Sequence, residues 1–279
     1  MTDTPAARGR LYVVGTPIGN LADLSERARE ALAGADVIAA EDTRRTRGLL
    51  LHIRAETQVL AYHEHNEREL VPDLIDRLAR GATVALVSDA GTPLISDPGW
   101  RLVHAARAAG IDVVPIPGPS AVIAALCAAG LATDRFTFEG FLPRRATARA
   151  ERLRELAAEP RTLVFFEAVH RLPETLDALV EHLGADRAAA LARELTKVHE
   201  QIVSAPLADL RGRLGADIPL LGEFVIVVAG APGDATFDER RAREIYELLR
   251  AELEPGKALK LTAEITGLSR NELYRLTRT

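Results

Sequence analysis

Asp89, Thr92, Ser96 and Asp97 fall together in Ser88-Asp89-Ala90-Gly91-Thr92-Pro93-Leu94-Ile95-Ser96-Asp97-Pro98-Gly99. Carboxylates and hydroxyls at this density can hold a polar ligand. Gly91 and Gly99 let backbone approach a ligand closely, while Pro93 and Pro98 brace the chain. A stiff connector is the plain reading, but a connector has no use for four polar side chains. Two more polar clusters precede this one. Glu41-Asp42-Thr43-Arg44-Arg45 pairs two carboxylates with two guanidinium groups, and His63-Glu64-His65-Asn66-Glu67 packs two imidazoles among carboxylates. Thr43 and Asn66 are also residue types that cap helices. Capping does not account for the rest. His63, His65 and Glu67 are candidate acid/base groups, with Asp42 and Glu41 to orient them. A divalent metal on the His/Glu cluster ranks behind that role because no further ligand cluster accompanies it, and no metal is expected.

The elements that must position these groups follow from periodicity. Residues 83–87 are a run of β-formers that breaks into the Asp/Gly/Pro loop, as a strand buried on both faces would. Residues 11–14 form another short strand and end in Gly15-Thr16-Pro17-Ile18-Gly19-Asn20. This is half of a dinucleotide fingerprint, without its third glycine or the helix directly after it. Strand-like segments at 37–40, 58–61 and 112–115 alternate with helical ones at 25–32, 67–78 and 101–109. That rhythm predicts an α/β fold with a parallel sheet, and it puts all three polar clusters at the carboxyl edge where such sheets bind ligands.

Pro115, Pro117 and Pro119 should end the last strand and make a rigid linker into a second domain, with Ser120 capping the apolar helix that follows. The second domain reads as mixed. Strands are expected at 136–139, 162–166, 188–192, 200–204 and 223–228, and helices at 146–158, 173–183 and 207–214. Too little chain separates 188 from 204 for a helical crossover, so antiparallel pairing is expected there. Arg144 and Arg145 open a basic stretch with Arg149, Arg152 and Arg154, which is either a solvated helix face or a phosphate contact. After a Gly/Pro linker at 230–236, a helix over 239–253 should be broken by Pro255-Gly256. Helices over 258–266 and 270–276 then have the outline of a helix-turn-helix. The nearly balanced charge beyond Asp238 favours packing or dimer contact over reading DNA.

The chain has 279 residues, 47% hydrophobic, with 35 basic against 40 acidic side chains for a net charge of −5. It can bury two ordinary cores, and it is not basic all over. All basic residues but Lys197, Lys257 and Lys260 are arginine, the better phosphate fork. Cys127 is the single cysteine and lies in an apolar run, so it is expected to be buried, in a reducing cytoplasm. No apolar run reaches membrane-spanning length, and Met1 to Pro5 lack a signal-peptide core, so no membrane partner is expected.

Taken together, Gly15-Thr16-Pro17-Ile18-Gly19-Asn20, Ala40-Glu41-Asp42-Thr43-Arg44, the Ser88–Gly99 loop, Pro117-Gly118-Pro119-Ser120-Ala121, Phe138-Glu139-Gly140-Phe141-Leu142-Pro143, Phe165-Phe166-Glu167-Ala168 with His170-Arg171, and Arg193-Glu194-Leu195-Thr196-Lys197 resemble the tetrapyrrole-methylase-fold methyltransferases, in particular those acting on small-subunit ribosomal RNA. The resemblance spans roughly residues 9–228, and the remainder is similar to that group's C-terminal helical extension. It implies α/β domains at 9–118 and 119–230 with S-adenosylmethionine between them, a helical extension at 238–279, and a homodimer. The implied reaction is 2′-O-methylation of a cytidine in the decoding region of 16S rRNA within the small subunit, with S-adenosylhomocysteine as product. Pro17, Ile18, Asp89, Ala90, Gly91, Thr92, Pro93, Ser120 and Ala121 would surround the cofactor, with Glu167, Ala168 and Glu223 closing the pocket. Arg44, Asn66, Arg144, Arg145, His170, Arg171 and Lys197 would meet RNA. Relatives acting on tetrapyrroles typically carry Gly-Pro-Gly where this chain has Thr16-Pro17-Ile18-Gly19, which makes a corrin substrate a weaker reading. A methyltransferase of the same fold acting on a protein is a second rival. A nucleotide-binding regulator whose C-terminal hairpin contacts DNA is a third, from a different class. A dehydrogenase is weakest, since no complete fingerprint is present.

Overall fold

The protein is described from a computed structural model covering residues 9–231 and 235–276. The first sheet is wholly parallel, in the order β3-β2-β4-β1-β5, from β1 (Arg10–Val14), β2 (Val37–Ala40), β3 (Gln58–Ala61), β4 (Val84–Val87) and β5 (Asp112–Ile116). Its central strands β2 and β4 are buried at every position, as a sheet covered on both faces demands. Helices α1 (Glu26–Gly34) and α2 (Thr43–Ile53) pack on one face against Val14, Ile38, Ala40, Ala85 and Val87. Helices α3 (Glu67–Ala79) and α4 (Trp100–Ala108) pack on the other against Leu11, Val37, Ala39, Val84 and Leu86. The alternation of one strand's residues between two cores is the strand's period of two at work.

This arrangement opens a crevice. β4 and β1 are neighbours, yet β1 leads to α1 on one face and β4 leads to α4 on the other. Their loops therefore part at the carboxyl edge, the switch point where open α/β sheets take ligands.

The second sheet is mixed, in the order β6-β7-β10-β8-β9, from β6 (Phe136–Phe141), β7 (Thr162–Ala168), β8 (Ala188–Arg193), β9 (Gln201–Pro206) and β10 (Glu223–Val228). β8 and β9 pair antiparallel, as the short connection required. Helices α6 (Ala146–Leu156), α7 (Leu172–Leu183) and α8 (Leu207–Arg213) cover one face. The linking helix α5 (Ala121–Ala128) covers part of the other. Helices α9 (Ala235–Glu252), α10 (Pro255–Thr266) and α11 (Arg270–Leu276) follow and share a small core of Ala242, Leu259 and Leu273. Among the described residues no helix is long and apolar enough to cross a membrane.

Several local expectations change. Cys127 is exposed rather than buried. α5 turns Val122, Ala125, Leu126 and Ala129 to the second sheet, and Cys127 falls off that stripe with half-exposed Ile123. Pro115 does not end β5, which runs on to Ile116; β5 is an edge strand, where a missing N–H costs the sheet little. α9 does stop before Pro255, as expected, but Pro255 and Gly256 themselves open α10, which starts three residues earlier than 258 because the first helical positions need no amide hydrogen. Arg149 is buried, so it belongs neither to a solvated face nor to a phosphate site. Of the 230–236 linker, residues 232–234 lie outside the described residues, as do Met1 to Pro5, and α9 already begins at Ala235.

Candidate functional site

Three loops of the first sheet are knitted into one floor. Thr16 N–H donates to Gly91 O at 2.8 Å and Gly91 N–H returns to Thr16 O at 3.0 Å. Thr92 Oγ1 donates to Pro119 O at 3.2 Å. Gly15 and Gly118 pass so closely that a Cβ on Gly15 would lie 2.8 Å from Gly118 Cα. Above this floor lies a cavity of 450 Å³, in the about 300–1,000 Å³ range of small-molecule sites. Ile18, Ala90, Gly91, Thr92, Ser120 and Ala121 contribute from the first sheet, and Glu167, Ala168 and Glu223 from the second. Nine of the twelve residues expected around the cofactor thus meet in one wall. Pro17, Asp89 and Pro93 are not among its lining residues.

Other wall residues had no cofactor role assigned from the sequence. Phe166, Ala192 and Val225 share the α5 face of the second sheet, each on a different strand. Sequence alternation would find each one only after the sheet order was known. Ile95, Ser96 and Asp97 complete the wall from the loop after β4. Leu94 and Ser96 are held at φ of +72° and +68°, a conformation unfavourable for side-chain-bearing residues and concentrated at functional sites. The loop reaches across to β6, where the register shifts between Phe138 and Gly140. Gly140 sits at φ +63°, and a Cβ there would lie 3.3 Å from Ser96 Oγ.

The electrostatics divide the polar residues into free and committed ones. Burial, then the charges of Asp97 and Asp89, hold the Glu41 carboxyl above its ordinary pKa. Burial likewise pushes Asp97 up, against a hydrogen bond from Ser88 and aided by the charge of Asp89. Asp89 itself accepts from Asp42 N–H at 2.8 Å and faces Arg45 Nε at 3.7 Å, so it ties the loop after β2 to the loop after β4. Asp42, not Thr43, caps α2, and hydrogen bonds from Arg44 pull its carboxyl down to about 2.

The His/Glu cluster lies outside the cavity wall. Glu67 is held by Arg101 Nε at 2.7 Å and accepts from the Tyr62 hydroxyl at 3.3 Å. His63 Nδ1 is buried without a partner, and the ring meets His65 edge-on at 6.0 Å. Asn66 closes its own turn by accepting from His63 N–H and donating to Ala61 O. Neither Asn66 nor Ser120 makes a side-chain cap bond, and Ser120 faces the cavity instead. Among the described residues no group of three metal-ligating side chains converges.

Of the basic residues, Arg144, Arg145 and Arg44 are exposed, and exposed His170 lines the cavity. Arg171 is turned inward, donating to Leu142 O at 2.8 Å beside Glu167. Lys197 bridges Glu194 at 2.7 Å and Glu223 at 3.0 Å, and its stem fills the space a side chain on Gly19 would need. Both cations are committed within the protein.

An adenosine-bearing sulfonium fits this wall. Ile18, Phe166, Leu195 and Val225 are apolar enough for a flat base, Gly91 at φ +80° admits close backbone approach beside Ile18, and Asp97 places a carboxyl group in the wall beside them.

Residues 10–211 match the family of Tetrapyrrole (Corrin/Porphyrin) Methylases, and residues 236–277 match the RsmI C-terminal HTH domain. The chain is 54% identical over 267 residues to ribosomal RNA small subunit methyltransferase I of Xylella fastidiosa, covering 95% of this chain and 98% of that one. It is 52% identical over 270 residues to the protein of the same name from Pseudomonas aeruginosa, covering 96% of each. A uroporphyrin-III C-methyl transferase from Thermus thermophilus, solved with S-adenyl homocysteine, shares the fold at a TM-score of 0.55 and 22% identity, over 78% of this chain and 97% of that one. With the cleft's geometry and near-full-length similarity in agreement, the chain belongs to the tetrapyrrole methylase family, in its ribosomal RNA small subunit methyltransferase I branch, and is an S-adenosylmethionine-dependent rRNA methyltransferase.

Proposed function

We propose that the chain methylates the ribose 2′-hydroxyl of a cytidine in the decoding region of 16S rRNA, acting as a homodimer on the small subunit. The observation that carries this reading is the cavity at the β4/β1 crevice, roofed by the second sheet and bordered by a carboxylate of raised pKa. When bound, S-adenosylmethionine supplies an electrophilic methyl group and leaves as S-adenosylhomocysteine.

The protein's share is to place the hydroxyl in line, exclude water and take up the proton. Ile18, Phe166 and Val225 keep the interior dry. Asp97, in the wall, is our candidate proton acceptor, with burial and the neighbouring charge of Asp89 raising its basicity. This moves the role from His63, His65 and Glu67, because Glu67 is neutralised by Arg101 and neither imidazole reaches the wall. Arg144, Arg145 and His170 are our candidates to hold phosphates, together with Arg44, which is exposed but already paired with Asp42; such contacts fix register without reading sequence.

The test is to incubate the protein and S-adenosylmethionine with small subunits from cells lacking the gene, then map ribose methylation by mass spectrometry. One new 2′-O-methylcytidine near the decoding site is expected. Methylation on a base, or on free tetrapyrrole instead of RNA, overturns the reading. Sedimentation of the purified protein checks the dimer.

A further inference from the structure

Trp100 is the sole tryptophan of the chain, and it is 61% exposed at the first position of α4. A single exposed apolar side chain is ordinary, but an indole locked in one pose offers a preformed flat face to a ligand. Its neighbours hold it in a fixed pose. The His104 ring lies one helical turn on and stacks against it at 5.2 Å with 20° between planes. Arg101 places its guanidinium carbon 5.9 Å from the indole centroid. Arg101 is in turn fixed by Glu67 at 2.7 Å. The backbone entering the helix is equally fixed. Gly99 sits at φ +131°, and a Cβ there would lie 2.8 Å from Leu86 Cδ2, so the turn that presents Trp100 is keyed into the core.

The position of this platform decides what it can serve. Asp97, in the cavity wall, is three residues away, so at most about 11 Å of chain separates their Cα atoms. Ile95, 42% exposed and also in the wall, continues the apolar surface out of the cavity. A nucleotide whose ribose enters the cavity must leave its neighbours' stack, and the bared flanking base then needs a new partner. A rigid, 61% exposed indole backed by an imidazole, with a guanidinium over the ring 5.9 Å from its centroid, is a surface at which a base can stack beside a phosphate.

We propose that Trp100, with His104 and Arg101, is the stacking platform for a nucleotide flanking the one that is methylated. Resting on the proposed RNA reaction, this adds the residue that grips the strand outside the cavity. Trp100 is a positioning residue, and the occupant is an RNA base rather than a second copy of the chain.

The chain's only tryptophan makes the test selective. Titrating the full-length protein with a single-stranded oligoribonucleotide spanning the methylated site should quench its intrinsic fluorescence saturably, and S-adenosylhomocysteine alone should not. With small subunits as substrate, Trp100→Ala should raise the RNA KM about tenfold, with kcat at saturating RNA and S-adenosylhomocysteine affinity kept. Trp100→Phe should recover most of the loss, and Trp100→Leu, apolar but not flat, should not. An unchanged KM in Trp100→Ala overturns the proposal whatever the oligonucleotide does. So does a Trp100→Leu variant that behaves as wild type, or a Trp100→Ala variant whose sedimentation shifts from dimer to monomer. If wild-type protein methylates no ribose at all, it is the proposed reaction that fails rather than this platform.

Discussion

At the scale of single residues, the acidic corner at the crevice works against the stability of the fold. Glu41 and Asp97 are both partly buried, and Asp89 adds a third charge. Their folded-state pKa values are raised, so over the window just above the ordinary carboxylate values the native state binds more protons than the unfolded one. Stability from these groups is therefore greatest at low pH and is lost as pH rises through the raised values. Asp97→Asn keeps the shape and removes one charge. It is expected to raise the melting temperature at neutral pH by about 1–3 °C while lowering kcat at least tenfold. The stability gain should vanish in melts run below the ordinary carboxylate range. A variant that melts lower at neutral pH, or keeps full turnover, would contradict both assignments. Arg171 presents the opposite case. Glu167 is wholly buried, bonded to Ala168 N–H and the Thr175 hydroxyl, with Arg171 Nε at 3.5 Å. Arg171→Met strands that carboxylate and should cost about 3 kcal/mol in denaturant unfolding. A merely RNA-binding Arg171 would leave stability untouched.

At the scale of elements, the two sheets meet through the loop after β4, and this contact sets a further expectation. Ser96 approaches the bulged Gly140 of β6, and Asp97 follows it directly into the cavity. Gly140→Ala forces a side chain into φ +63°, costing about 1–2 kcal/mol locally, and pushes on Ser96. Calorimetric affinity for S-adenosylhomocysteine should fall about five- to tenfold; unchanged affinity would mean that the loop does not depend on β6. The elements themselves were legible from period and punctuation: β10 and α11 have the bounds that the sequence suggested, and β8 and β9 pair antiparallel because the chain between them is short. What escaped depends on orientation. Cys127 and Val122 sit in one apolar run, and only the packed helix tells which faces the sheet. Lys197 and Arg171 read as phosphate ligands; Glu194 and Glu167 lie three and four residues away, but Glu223 and Leu142 come from other elements, so spacing reveals only half of each pairing. The His63–Glu67 cluster does follow a strand's carboxyl end. However, β3 is the sheet's edge, two strands from the β4/β1 crevice, and distance along the sheet cannot be read before strand order is known.

At the scale of the whole molecule, α9, α10 and α11 pack chiefly on one another, and Arg243 closes the group by donating to Leu276 O. Among the described residues the cavity draws none from them. We propose two separable tasks, the two sheets holding the methyl donor and the helical unit adding a second contact to a large RNA. A second contact joined to the first raises its effective concentration, so losing it appears in the apparent affinity for the substrate, not in the chemistry. A chain ending at Ala231 should therefore keep its affinity for S-adenosylhomocysteine within about twofold, while its KM for small subunits rises by about tenfold or more. Calorimetry with the cofactor product and steady-state kinetics with subunits measure the two separately. Loss of cofactor binding on truncation would make the helices part of the cleft. Unchanged subunit kinetics would leave them a packing or dimer element, which sedimentation of the shortened chain would then reveal as a change in mass.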